Sequence, residues 1–458
     1  MESVNVTEWL NKWADLSSFA RQKAAASAKA AIIKFYDKDI SESSLAAIAG
    51  GVETWKRAAT ARSEALNAWL PCVAKTIGYS GSVAEFMSSD HTVWLSACSQ
   101  DFRATISLLP TTHHDAPHIF FHPMSHLDAP DIAWNESGVI DQRYMYADRH
   151  AAAQWAEIRA RETYGLYNIC KSLARESGKF LQTVEPQIDQ VIFLGAGSPD
   201  KDWSLIIELM KDRETQLNVF VCDASFYMLI ETKDELEKLI LSNRKHIDSS
   251  LINIHLSCFD FTKPNGWKSC KFDRNQRSLI AIFGGTVGNV SEKELFDCIR
   301  SNSKSGDFVT IAGSFYETKD DLETRGSEDI AQQYGDDAKG LAINTISALL
   351  DKVHGLHTFK EKIDFVTVKF EDASDLPDKI TSRIPDTKSA VFFISTSKLS
   401  KIYPTFDRIE RLFLLTSRRY VKGNLKTYLE QKYCLSPVRD FNYDNGIFPF
   451  SHLIFQRT

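Results

Sequence analysis

Four apolar runs in this 458-residue chain stop at glycine or aspartate, and their end residues are the ones equipped to hold a nucleoside. The runs are VIFLGAG, VFVCDAS, INIHLSCFDF and LIAIFGG. They end at Gly195-Ala196-Gly197, Asp223, Asp260-Phe261 and Gly284-Gly285. A glycine lets backbone approach a ligand with no Cβ in the way. Asp223, one strand beyond the first glycine loop, is placed to accept both hydroxyls of a ribose. Asp260 could accept from an adenine amine while Phe261 lies on the ring. Strands also end in aspartate for local reasons, as turn or N-cap residues. The succession glycine, acid, acid, glycine at consecutive ends favours ligand contacts over four separate caps.

The residues just past the first glycine loop narrow the ligand. In a dinucleotide site a third glycine packs helix on strand, and the helix N-terminus holds a pyrophosphate. Here that position is Asp200, with Asp202 just beyond. Acids there repel a pyrophosphate but suit a ligand carrying an ammonium and a sulfonium, so S-adenosylmethionine is the expected cofactor. Other constellations carry less. His113, His114, His118, His122 and His126 cluster in sequence, but Pro117 and Pro123 break any helix that would align them, so no metal site is expected. Lys401, Arg408, Arg411, Arg418 and Arg419 could meet an acidic substrate, although a solvated basic face is the commoner origin of such a group. There is no P-loop, no G-x-S-x-G elbow and no zinc finger.

These residues need a sheet to position them. From Pro186 the chain alternates strand and helix, with strands expected near 189–195, 217–223, 252–258, 278–284 and 307–313. Such alternation gives a parallel sheet with helices on both faces. Before it, residues 1 to about 110 read as helical, from Val6, Leu10, Trp13 and Leu16 onward, and Pro110 to Asp131 as an irregular connection. An amphipathic helix is expected over about 151–181. After the alternating region, 317–422 breaks the pattern as a separate lobe. Two strands around Asn445-Gly446 then form a hairpin. The expected division is a helical domain at 1–125, a cofactor domain at 126–316 completed by 423–458, and the inserted lobe.

Composition sets the class. An apolar share of 43% with 25% charged residues fits a soluble globular protein, and a net charge of −6 gives no basic footprint for nucleic acid. Eight cysteines without a C-x-x-C pair read as buried thiols in a reducing compartment. No basic segment followed by an apolar core opens the chain, and no apolar run nears the ~18 residues of a membrane span. A cytoplasmic protein with a small-molecule substrate and no nucleic-acid or membrane partner is expected, and nothing in the sequence fixes an oligomeric state.

The run LIAIFGGTVGNVSEKEL with SGDFVTIAGSF resembles the histidine-specific Nα-methyltransferases of ergothioneine biosynthesis, whose fourth strand ends in G-S-T-I-G-N. GDDAKGLAIN (335–344) is similar to that family's Y-D-D-A-x-G segment, and YADR (146–149) to its Y-P-T-R. The resemblance covers roughly residues 140 to 458, in patches. It implies an α/β fold: a seven-stranded, Rossmann-like class I methyltransferase sheet with an inserted α+β substrate lobe, here behind an N-terminal helical region. It also implies that Asn289 hydrogen-bonds the carboxylate of an amino-acid substrate. Tyr334, offset by one because Gly335 intervenes, would be the lobe's tyrosine, and Tyr146 would lie near both cofactor and acceptor amine. The family's E-x-S-x-K-F element appears here as LTSRRY, so Ser417 is kept for substrate while Leu415 replaces the glutamate. A leucine cannot accept from an imidazole N–H, and a buried polar group without its partner costs about 1–3 kcal/mol, so histidine is not the expected substrate. The family's N-terminal aromatic motif is missing at its spacing, and residues 1 to about 125 have no counterpart; they would form a second lobe that reshapes the pocket.

Methyl transfer from a sulfonium is an in-line displacement for which the cofactor carries the activation. The protein must align a neutral amine with the methyl carbon; Tyr146, Tyr334 and Asn289 are the residues for that work. Three alternatives stay open at this level: aminocarboxypropyl transfer from the same cofactor, an NAD-dependent oxidoreductase, and a non-catalytic partner protein that kept the fold.

Overall fold

A computed structural model of the chain describes residues 104–107, 118–121, 138–140, 166–334 (without 186, 198, 244–246 and 270–271) and 364–458 (without 379, 400–409 and 445–448), with 155, 339 and 342 singly. Its helices include α1 (Leu166–Val184), α2 (Pro199–Leu209), α3 (Phe226–Asn243), α4 (Thr286–Asn289), α5 (Glu292–Asn302), α6 (Lys319–Tyr334) and α7 (Lys422–Tyr433).

The unbroken apolar runs become strands because both faces of a parallel sheet are covered by helices, so no position needs to be polar. They are β3 (Gln190–Leu194), β4 (Leu217–Asp223), β5 (Ile252–Cys258), β6 (Ser278–Ile282) and β7 (Phe308–Gly313). Every residue of β3, β6 and β7 is buried. The C-terminal strands β12 (Leu435–Asp444) and β13 (Pro449–Arg457) pair antiparallel, and β13 inserts antiparallel beside β7. The order β5-β4-β3-β6-β7-β13-β12 is the class I methyltransferase sheet expected from the sequence. It reverses direction at β3, which has β4 on one side and β6 on the other, and ligands bind at such a switch point.

Two further strands extend the edge beyond β5: β2 (His118–Phe121), parallel to it, and β1 (Ala104–Ser107), antiparallel to β2. The sequence pattern predicts helix where β1 lies and an irregular connection where β2 lies. Four-residue strands are too short for their period to register, though HIFF is rich in strand-forming types. The rest of the expected N-terminal helical region lies outside the described residues.

The interruption after β7 builds a second sheet, in the order β8-β11-β10-β9, from β8 (Phe315–Tyr316), β9 (Val366–Asp372), β10 (Lys388–Ser395) and β11 (Arg411–Val421). Its long strand β11 is buried along nearly its whole length. One face packs on α4 and the other on α6. The α4 contact is backbone to backbone: a Cβ added to Gly288 would come within 2.7 Å of the Arg418 carbonyl oxygen. Arg418 and Arg419, which the sequence pattern places on a solvated basic face, are both buried. Arg418 pairs with Glu292 (3.4 Å) and Arg419 with Asp329 (2.8 Å). Arg411 meets Glu371 at the strand's other end, while Lys401 and Arg408 lie outside the described residues.

Candidate cofactor and acceptor site

The two glycine loops of the sequence meet. Gly195 has φ +94, and a Cβ there would fall 2.6 Å from Thr286 Oγ1, so only glycine fits between the β3 loop and the start of α4. Its N–H donates to Cys222 O (2.8 Å), and Ala196 N–H donates to Asp223 Oδ2 (2.7 Å). The other carboxylate oxygen accepts from Ser225 N–H (2.7 Å), while Ser225 Oγ caps α3 by accepting from Met228 N–H. Beside the Ser225, Ala196 and Ala224 N–H groups the carboxylate keeps acceptor capacity for a ligand hydroxyl. Burial pushes Asp223 up to about 6, opposed by those N–H bonds and by the Lys201 ammonium.

The neighbouring strand end is set beside it by Phe259 N–H donating to Asp223 O (2.9 Å). Asp260 Oδ1 accepts from Thr262 N–H and Oγ1–H, at 2.9 and 2.6 Å, a local turn of the kind sequence reasoning weighed against ligand binding. Phe261 is buried in the core cluster with Ile192, Leu194 and Trp267, and its carbonyl accepts from Trp267 Nε1. Asp200 ion-pairs with Lys171 of α1 at 3.8 Å.

Lys201 is the residue that sequence reasoning passed over. Only 6% exposed, it places Nζ 3.8 Å from where a Cβ on Gly197 would be, 3.1 Å from Asp202 Oδ1 and over the Phe283 ring. Asp202 is thereby turned to Lys201. The signal was a lysine in the first turn of α2, where the helix dipole disfavours a cation unless an anion holds it.

The fit to S-adenosylmethionine is tested on these groups. Gly284 leaves open space where a Cβ would stand, Asp223 offers two acceptor oxygens at a strand end, and a buried ammonium sits by the glycine loop. These match the ribose diol and the carboxylate of an amino-acid-bearing nucleoside, so the donor set fits the cofactor.

At the fourth strand end, Gly285 caps α4 and Asn289 closes it. The Asn289 amide faces two carbonyl oxygens, Gly285 O at 3.2 Å and Thr416 O at 3.1 Å; hydrogen bonding places its nitrogen on that side and turns its oxygen away. This bond draws the Leu415–Ser417 stretch of β11 against the loop. Thr416 Oγ1 is buried with no hydrogen-bond partner among the described residues. Leu415 and Ser417 share the opposite face, and Ser417 Oγ accepts from Arg419 Nη1 (2.8 Å). Tyr334 is the last residue of α6. Tyr146 lies outside the described residues, as do His113, His114, His122 and His126. Among the described residues no group of His, Cys, Asp and Glu could hold a metal, and no helix is long and apolar enough to cross a membrane.

Residues 134–313 match the family model described as histidine-specific methyltransferase, SAM-dependent. No curated protein matches the chain by sequence. Solved structures similar to it include magnesium protoporphyrin IX methyltransferase from Synechocystis PCC 6803 with bound SAH, at 10% identity and TM-score 0.33 over 68% of this chain and 97% of that one. A SAM-dependent methyltransferase of Leishmania major is 8% identical, with TM-score 0.35 over 74% and 92%. The glycopeptide N-methyltransferase MtfA complexed with sinefungin is 9% identical, with TM-score 0.31 over 62% and 87%. The fold assignment rests on the strand order itself.

Proposed function

We propose, from the match of residues 134–313 to the histidine-specific, SAM-dependent methyltransferase model, that the chain methylates a nitrogen of a small amine, an amino acid or its derivative other than histidine. S-adenosylmethionine supplies the activated methyl group. Asp223 would hold the ribose hydroxyls, Lys201 would pair with the carboxylate, and the Gly195–Gly197 backbone would leave room for the methionyl chain. Tyr146 and Tyr334 are the candidates to orient the acceptor amine or take its proton.

The observation that supports a hydrogen-bond donor on the acceptor, such as an amine, is the Asn289 amide. With both hydrogens turned to Gly285 O and Thr416 O, it offers a ligand only its oxygen. An oxygen accepts from an N–H or O–H donor and repels a carboxylate, which supports reading Asn289 as a partner of the acceptor's amine rather than of the carboxylate that the family resemblance implies. Leu415 in place of the family's glutamate supports an acceptor other than histidine. The test is incubation with methyl-labelled S-adenosylmethionine and a metabolite extract, read by mass spectrometry. An N-methylated product with S-adenosylhomocysteine is expected; methylthioadenosine instead would mean aminocarboxypropyl transfer.

Two substitutions probe these roles. Asn289→Ala is expected to weaken acceptor binding on the order of tenfold while S-adenosylhomocysteine binding holds; equal loss of both in calorimetry refutes the role. Lys201→Met is read as a preference, because it also leaves Asp202 without its cation. Wild-type protein should bind S-adenosylhomocysteine at least about tenfold tighter than methylthioadenosine, which lacks the amino-acid end, and the variant should bind them alike.

A further inference from the structure

Gly197 is a glycine that its own fold does not require. Its φ lies outside the left-handed region, and a Cβ built on it would meet nothing among the described residues nearer than 3.8 Å, its chain neighbours aside. Gly195 is the opposite case, pressed to 2.6 Å from Thr286. Two nitrogen atoms stand at the open point beside Gly197: Lys201 Nζ at 3.8 Å and the indole Nε1 of Trp155 at 3.9 Å. Trp155 is helical and half-buried, in the stretch where the sequence pattern predicts an amphipathic helix.

The pair has one polarity. An indole N–H and an ammonium only donate, so a group set between them must accept, and a cation is turned away by both. Lys201 is not a free charge. Asp202, 1% exposed, holds its ammonium at 3.1 Å, so the two together present little net charge to a ligand. An incoming carboxylate competes with Asp202 for that ammonium, and a second donor offsets what Asp202 takes. The indole supplies it without the desolvation cost of another buried cation. The glycine loop orders the ends of the ligand. Ala196 N–H is bonded to Asp223 Oδ2 at 2.7 Å, while both donors gather at the next residue. A cofactor with its ribose on Asp223 and its chain along the loop brings its amino-acid end to Gly197.

We propose that Trp155 is a cofactor-binding residue whose indole N–H donates to the carboxylate of S-adenosylmethionine, sharing it with Lys201 across the bare backbone of Gly197. Gly197 has no side chain because the carboxylate needs that space. The inference rests on reading this crevice as the S-adenosylmethionine site with Lys201 as a carboxylate partner.

The test compares S-adenosylhomocysteine with S-adenosyl-3-thiopropylamine, which keeps the ribose, the sulfur and the amine and lacks only the carboxylate. Binding of S-adenosylhomocysteine to the wild-type protein is measured first by calorimetry. Its absence would sink the reading of the crevice, and the assignment of Trp155 with it. Given binding, the wild-type protein should prefer S-adenosylhomocysteine. Trp155→Phe keeps an aromatic ring and removes the N–H; it should cut that preference on the order of tenfold while affinity for the thiopropylamine holds. No preference in the wild-type protein, a preference that survives Trp155→Phe, or an equal loss for both ligands would overturn the role of Trp155 and leave cofactor binding itself in place. A second measurement reads the bond directly in the wild-type protein, isotopically labelled at its nine tryptophans. The indole N–H resonance that Trp155→Phe lacks should move downfield with S-adenosylhomocysteine and stay with the thiopropylamine. A shift shared by both ligands, or produced by neither, would end the assignment.

Discussion

Replacing Asp223 by asparagine should weaken S-adenosylhomocysteine binding at least about hundredfold, because two hydrogen bonds to a charged acceptor are each worth about 1.5–3 kcal/mol. The asparagine also turns an amide NH2 toward either Ala196 N–H or Ser225 N–H, which now donate to the two carboxylate oxygens. The wild-type protein carries a pH signature of the same group. Burial raises the Asp223 carboxyl to about 6, so below that value the free protein holds a proton there. The ribose hydroxyls need the ionised form, so binding must expel that proton, and the dissociation constant should rise about tenfold for each pH unit below about 6. Stability of the free protein moves the other way. An acid raised in the fold penalises the folded state above its folded pKa, and the penalty is relieved as pH falls through about 6 toward the unfolded value. Calorimetry across pH 5 to 8, roughly the range in which the shift acts, checks the first trend. A flat affinity profile would remove Asp223 from the ribose role.

What was legible in the sequence was whatever a strand end declares by residue type. An apolar run stopping at Gly195 or Asp223 states the strand and where it ends, although the Asp260 turn with Thr262 shows that an acid at a strand end can also serve a local purpose. The hairpin that closes the sheet was legible from turn chemistry at Asn445-Gly446, with β12 and β13 pairing as expected on either side. Lys201 was not, because a lysine in a helix reads as surface until the fold buries it against Phe283 and Asp202. Arg418 and Arg419 misled for the same reason. Their partners, Glu292 on α5 and Asp329 on α6, stand far away in sequence, and no local pattern announces a pairing across that distance. The direction of the Asn289 amide is a still finer property. It depends on a carbonyl of β11 that comes near only when the second sheet docks, so composition at GTVGN could suggest a polar role but not which atom performs it.

That docking supplies the second large effect. Arg418 Nε lies 3.4 Å from Glu292 Oε1 and donates to Ile380 O, while Nη1 donates to Val290 O at the end of the GTVGN turn. Tyr420 Oη, two residues on, lies 3.0 Å from Val287 O and 2.9 Å from the same Glu292 oxygen, and its one hydrogen goes to one or the other. Strand and turn are thus held by a buried ion pair and by backbone carbonyls at once. Arg418→Ala removes the cation and leaves Glu292 charged in the interior, so chemical denaturation should report a loss of about 3–5 kcal/mol. Glu292→Gln alone should also destabilise, since it strands Arg418 instead. The double substitution Arg418→Met with Glu292→Met should be less harmful than the sum of the two single losses, because neither charge is then left behind. The same geometry makes a functional prediction. If α4 presents Asn289 and β11 presents Leu415 and Ser417 to the acceptor, as proposed, loosening the latch should lower turnover of the acceptor before it lowers cofactor affinity, for which Asp223 on β4 and Lys201 on α2 stand apart from the latch. If the two activities fell together in a variant that remained folded, Arg418 would be acting on the sheet as a whole, and the coupling of the lobe to the GTVGN turn would be lost as an explanation.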